Sequence, residues 1–191
     1  MANETEWDLR YLELARLVAG WSKDKAKVGA VLVLNNRVVA TGFNGFPTNV
    51  LDDERLSLKA IKQIMVVHAE VNALLVAGDR ARGATLYVHG KPICSGCAAL
   101  IIQAGVERIV SPRPEQASNS NEEPQGTKEP GDIDWNHRGL VAKEMFAEAG
   151  IKVHHIEAEP TRKVKTTDDG AHVTKLANDE AKSARKSVQK K

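Results

Sequence analysis

A chain of 191 residues with 42% apolar and 27% charged residues can bury a proper core as one domain, which excludes a disordered or fibrous protein. No apolar run approaches the ~20 residues of a membrane span, and no basic-then-apolar leader opens the chain, so a cytoplasmic protein with no membrane partner is expected. The net charge of +2 is unevenly spread: residues 158–191 carry nine Lys/Arg against five Asp/Glu, and the body before them is near neutral. The expected division is a folded domain over 1–157 and a basic, disordered tail over 158–191.

In chain order, "TEWDLRYLELARLVAGWS" places Thr5 and Asp8 in capping-box positions and carries apolar residues at helical spacing to Val18, with Gly20 as the stop. "VGAVLVL" (28–34) is a continuous aliphatic run, the signature of a strand buried on both faces. Asn35-Asn36 then turns it into "RVVATGFN" as a hairpin. "GFNGFPTN" (42–49) is a loop rich in Gly, Asn and Pro, the composition of backbone shaped around something. A polar helix is expected over 53–65 and an apolar one from His68 to Gly78. Then come a strand (84–89), a helix (94–105), a strand (106–110), and a long polar connection without periodicity over 111–131. An amphipathic helix (138–150) and a strand (151–156) close the domain. Strands alternating with helices predict a mixed sheet covered on both faces, with the last two strands parallel across a crossover helix.

Three polar residues interrupt the apolar stretch "VVHAEVNALLVAG" (66–78): His68, Glu70 and Asn72. Alone, a histidine at a helix start is more often a cap or a satisfied core residue. Likewise, Cys94 and Cys97 in a reducing compartment could be redox-active, structural or accidental, though not a disulfide. Together they compose a set. One imidazole and two thiolates make a three-ligand zinc site with a fourth position left for water, the catalytic pattern rather than the closed structural one. Cys94 and Cys97, at i and i+3, share a helix face, and a helix N-terminus favours their thiolates. Glu70, two residues from His68, can stand near the metal without binding it only in the first helical turn. There it suits proton transfer.

The order His-x-Glu, then Pro92 and Cys-x-x-Cys, resembles the signature of zinc nucleobase deaminases. "VGAVLV", "TGFNGFP", "VVHAEVNALL", "TLYVHGKPICSGCAALIIQAGVERIV" and "MFAEAGIKV" extend the likeness over residues 10–156, in that order, to the deoxycytidylate (dCMP) deaminase family. "GFNGFP" is the discriminating stretch, because tRNA adenosine deaminases lack it. The resemblance implies a cytidine deaminase-like three-layer α/β/α sandwich with a five-stranded mixed sheet. It implies hydrolytic deamination of dCMP to dUMP with one Zn2+ per chain, held by His68, Cys94 and Cys97, and Glu70 as proton shuttle. Asn44 would meet the sugar, the backbone around Ala69 the pyrimidine carbonyl, and Lys25 and Lys27 the phosphate. A homo-oligomer, often a hexamer in this family, is implied too. The sequence departs from the family pattern in the extra residue of Pro92-Ile93-Cys94. The segment after "GFNGFP" lacks further Cys or His, so no second zinc is expected.

Two rivals remain at this stage. Deamination of another cytosine nucleotide, nucleoside or base is one; with aromatics at 4%, few rings are available to stack an extruded base, so a nucleic acid substrate is disfavoured. A non-catalytic module stapled by zinc is the other, and it leaves Glu70 without a purpose. His89 is read as surface or packing in preference to pocket lining, and Trp135 as packing in preference to closing over substrate with His137. His154 and His155, adjacent on a strand, must face opposite ways. Asn72 stays unassigned, with bracing of the glycine loop as the one role suggested for it.

Overall fold

The computed structural model describes residues 4–112 and 135–156. The connection beyond Pro112 and the basic tail lie outside the described residues. Strands β1 (Gly29–Leu34) and β2 (Arg37–Phe43) form the expected hairpin. Its tip is Asn35-Asn36, whose φ angles of 51° and 58° are those of a two-residue type I′ turn. With β3 (Thr85–His89), β4 (Arg108–Pro112) and β5 (Lys152–Ile156) they make a five-stranded sheet in the order β2-β1-β3-β4-β5. The β2-β1-β3 pairings are antiparallel and the β3-β4-β5 pairings parallel, the mixed sheet read from the sequence.

Alternation along the strands explains the layers. Val31, Val33, Tyr87 and Val110 point to one face, where helix α1 (Glu4–Ala19) sets Tyr11, Ala15 and Val18 on them. Ala30, Leu32, Leu86, Val88 and Ile109 point to the other. There they meet Ala69, Ala73 and Ala77 of α3 (Ala69–Ala77), Ala98 and Ile101 of α4 (Ser95–Gln103), and Ala142 and Phe146 of α5 (Trp135–Glu148). Both faces are therefore buried, which is why β1 reads as one unbroken apolar run. No helix among the described residues is long and apolar enough to cross a membrane.

Glycine decides where helix backbone rests on sheet. A Cβ at Gly42 would stand 2.3 Å from the Ala69 carbonyl oxygen and 2.5 Å from the Ala73 nitrogen. On the opposite face, one at Gly29 would stand 2.1 Å from the Ala15 carbonyl oxygen. In both places only hydrogen fits.

Several boundaries differ from the sequence reading. The helix expected over 53–65 divides into a short 3-10 turn, Glu54–Ser57, and α2, Lys59–Met65. The Asp53 carboxylate takes the Arg55 N–H at 3.1 Å as the N-cap of the first piece, and Leu58 between the two pieces is extended. α5 starts at Trp135 rather than Arg138, and β4 runs on to Pro112, where pairing with Ile156 outweighs the loss of apolar character. Asp8 is not spent on a helix cap. Its carboxylate receives the Tyr87 hydroxyl at 2.8 Å and two Arg108 guanidinium nitrogens at 2.8 and 2.5 Å, joining α1 to β3 and β4.

Burial alone would raise the Asp8 pKa, but the hydrogen bonds from Arg108 and Tyr87 outweigh it and hold the carboxyl below its ordinary value. A depressed carboxylate stabilises the fold above its unfolded pKa, and that contribution disappears as pH falls through the folded value. Asp8→Asn leaves the Arg108 guanidinium without its counter-charge and is expected to cost about 3 kcal/mol or more at pH 7. In urea titrations the deficit against wild type should shrink below about pH 4, where Asp8 is itself being protonated; a deficit independent of pH would contradict the ion pair.

Candidate metal centre and active site

Two helix N-termini converge on one point. His68 is the residue before α3, with extended backbone (φ −73°, ψ 153°), and Cys94 holds the same position before α4 (φ −81°, ψ 161°). Side chains at these two positions project from the helix ends, and Cys97, one turn into α4, joins them. Nδ1 of His68 lies 3.2 Å from Sγ of Cys97 and 3.5 Å from Sγ of Cys94, and the three ligand atoms all lie within 4.8 Å of one another. The Cys97 N–H also points at the Cys94 sulfur, at 3.5 Å, so the cap itself favours a thiolate.

The donor set fits zinc. Bond lengths of about 2.3 Å to sulfur and 2.0–2.1 Å to nitrogen in a tetrahedron put neighbouring ligand atoms about 3.5 Å apart. His68 keeps that spacing from both sulfurs, with no rearrangement needed. Among the described residues these three are the one His/Cys/Asp/Glu cluster of metal-binding geometry.

Electrostatics sharpen the picture. Hydrogen bonding from Cys97, against the opposing effect of burial and aided by His68, pulls the Cys94 thiol down to about 3. Cys97 moves upward, through its hydrogen bond to Cys94 and its burial. The bond to Cys94 likewise raises His68. Glu70, in the first turn of α3, is only 3% exposed and is not one of the three clustered donors. Burial raises its pKa above the ordinary carboxylate value, against the pull of His68. A carboxyl so placed can hold a proton at a pH where a surface glutamate cannot.

The glycine loop is clipped to this centre. Gly45 and Val67 exchange backbone hydrogen bonds of 3.2 and 2.8 Å just before His68. Asn72 donates to the Phe43 carbonyl at 2.8 Å, the bracing role suggested for it from the sequence. Asn44 is nearly buried, at 6% exposure. Its amide nitrogen donates to Asp24 (3.2 Å) and the Ala26 carbonyl (2.9 Å), while its oxygen accepts the Val28 N–H at 2.8 Å. Both amide hydrogens are therefore committed to the loop, and of its hydrogen-bonding capacity one lone pair of Oδ1 is left over. Ala69 is fully buried as the first residue of α3. Lys25 and Lys27 are exposed on the turn beside the loop, and the Lys27 ammonium donates to the Ser22 carbonyl.

Trp135 packs against the core, as read from the sequence, and it does so beside the site. Its indole lies against the His68 ring, centroids 5.6 Å apart at 44°. The ammonium of Lys91 stands 5.7 Å from the same indole's centroid. His137 is exposed, and His89 faces α1, where Glu13 and Arg16 act on it. His154 is exposed and acts on Asp8 from the α1 side, whereas His155 lines a cavity of about 20 Å³ with Ala142 and Phe146.

Residues 5–112 match the family model of the cytidine and deoxycytidylate deaminase zinc-binding region. The deaminase of the luxG 3′ region of Aliivibrio fischeri is 35% identical over 150 residues, 78% of this chain and 92% of that one. The deoxycytidylate deaminase of Mycobacterium phage D29 is 39% identical over 124 residues, 56% of this chain and 95% of that one. In fold, the chain is similar to the dCMP deaminase of cyanophage S-TIM5, solved in complex with dCMP and dUMP. That likeness has a TM-score of 0.58 at 23% identity, over 81% of this chain and 100% of that one.

Because Gly42 seats the N-terminus of α3 on β2, Gly42→Ala must push away the helix end that carries His68 and Glu70. The expected cost is about 1–3 kcal/mol by chemical denaturation, with less zinc retained per chain by elemental analysis. Full zinc occupancy and unchanged stability would show that the contact can relax without disturbing the centre.

Proposed function

The chain belongs to the cytidine and deoxycytidylate deaminase zinc-binding family, whose members are zinc-dependent aminohydrolases, and from that premise we propose that it converts dCMP to dUMP with release of ammonia. The observation that carries the reading is the pairing of a three-donor cluster with a buried carboxylate beside it and outside it. A staple between helices has no use for Glu70 there. The substrate is supported by the phage relative, itself a deoxycytidylate deaminase, and by the "GFNGFP" loop, which lies against the residue preceding His68.

In this reading His68, Cys94 and Cys97 hold one Zn2+, which when bound supplies Lewis acidity and a nucleophile from water at neutral pH. Glu70 accepts the proton of the attacking water and delivers it to N3 of the cytosine ring as the C4–O bond forms. It then carries the second water-derived proton to the amino group, so that the C4–N bond breaks and ammonia leaves. Its raised proton affinity matches this duty, since a shuttle must be reprotonated readily near neutral pH. Backbone N–H groups at the start of α3, around Ala69, lack intrahelical partners and suit the pyrimidine carbonyl. Asn44 meets the sugar through the free lone pair of Oδ1.

We place the reaction in the cytoplasm, where reducing conditions suit the free thiols of Cys94 and Cys97. A homo-oligomer is the reading supported by apolar side chains left in the open on α2 and α3: Ile64 is 86% and Leu75 74% exposed. Ile64→Ser with Leu75→Ser should lower the sedimentation coefficient toward that of one chain; an unchanged value would remove these residues from any interface.

Glu70→Gln keeps shape and burial but cannot cycle a proton. Ammonia release from dCMP should fall by at least about a hundredfold, with zinc content and melting temperature unchanged. Full activity in this variant would refute the shuttle. A purified wild-type protein that holds zinc but releases ammonia from none of dCMP, CMP, dCTP, deoxycytidine or guanine would favour the non-catalytic module.

A further inference from the structure

Building on the nucleotide reading above, we propose that Lys91 receives the 5′-phosphate of the substrate, with the Trp135 indole as the wall between that phosphate and the metal-binding cluster. Three groups from three elements stand in a row. His68 opens α3, Trp135 opens α5, and Lys91 lies in the connection from β3 to α4, three residues before Cys94. The indole touches both neighbours, its centroid 5.6 Å from that of His68 and 5.7 Å from the Lys91 ammonium. A positive charge is therefore held at a fixed place beside the site, one aromatic ring away from a metal ligand.

The other lysines around the glycine loop are less suited. Lys27 is committed to the Ser22 carbonyl, Lys62 is paired with the buried Asp24 at 3.1 Å, and Lys23 stands 3.7 Å from Asp52. Lys25 is exposed, where water screens its charge. Lys91 is half-buried, and its partner among the described residues is a ring rather than a carboxylate, so its charge is oriented without being neutralised. A compact ammonium is the usual point-charge partner of a phosphate oxygen. Arg138, one turn beyond Trp135 on α5, adds to the positive charge at this helix end. The indole also gives the sugar and ring of a nucleotide a flat apolar surface between its two ends.

The test uses the full-length, zinc-loaded protein and a non-reacting pair, dUMP and deoxyuridine, titrated by calorimetry alongside steady-state kinetics on dCMP. Wild type should bind dUMP at least about tenfold tighter than deoxyuridine. Lys91→Gln should lose most of that preference and raise KM for dCMP by a similar factor, with the loss falling on KM rather than kcat. Lys91→Arg, which keeps the charge, should retain most of it. Zinc content and melting temperature report whether each variant is folded. The proposal is overturned if Lys91→Gln keeps the dUMP preference, if Arg138→Gln abolishes it while Lys91→Gln does not, or if wild type shows none. A lysine-dependent dUMP preference in a protein that releases no ammonia from dCMP would uphold the phosphate site and sink the dCMP reading alone.

Discussion

At Gly42 the backbone of β2 lies directly against the backbone of α3, with no side chain between them, and the geometry of the site depends on that contact. Helices usually stand off a sheet by the thickness of their side chains. α3 instead presents Ala69, Ala73 and Ala77, one per turn, all buried, and at Gly42 even a methyl group is absent. The first turn of α3 is thus fixed to the sheet edge by main chain, not by a flexible side-chain layer. His68 and Glu70 sit in and just before that turn, so their positions inherit the rigidity of the sheet. α4 is seated on the same face through Ala98 and Ile101, which brings its N-terminus to the same end. Two helix ends set on one sheet face bring three donors within 4.8 Å of one another.

Such preorganisation has an electrostatic consequence. Two sulfurs, an imidazole and a carboxylate lie close together and largely out of water, an arrangement costly for unpaired charge. Hydrogen bonds relieve it, with Cys94 as the favoured anion and Glu70 inclined to keep its proton. A divalent cation relieves it further by compensating the thiolates directly, which ties metal affinity to the fold. Cluster and carboxylate therefore belong to one design: the conditions that make Glu70 a poor surface acid make it a usable carrier of protons.

Residues whose chemistry restricts their type were the most legible in the sequence. His68, Glu70, Cys94 and Cys97 stand out because few side chains can replace them, and Asn35-Asn36 because only a few residues tolerate two positive φ angles. The mixed sheet followed from the alternation of elements. Less legible was whatever depends on pairing across the fold. Asp8 and Arg108 are separated by 100 positions, and the local pattern around Asp8 suggested a cap instead. Trp135 reaches His68 only because α5 returns over α4 after a connection that carries no periodicity.

The loop carrying Asn44 shows how such unseen pairings serve the site. Asp24, between α1 and β1, is nearly fully buried, and it accepts the Ala26 N–H, the Asn44 amide and the Lys62 ammonium. Ser22 closes the ring by donating to the Asn44 carbonyl at 2.7 Å. One carboxylate therefore ties the turn before β1, the glycine loop after β2, and α2 into a single network. Its three donors come from three segments, so Asp24 cannot turn without breaking all of these bonds together. Asn44 is consequently a fixed oxygen acceptor, not a mobile amide, and a ligand meeting it finds one lone pair in one direction. A rigid acceptor on one side and a cation steadied by an indole on the other would fix both ends of a nucleotide. Its ring would then be held at the helix N-termini by geometry more than by contact area.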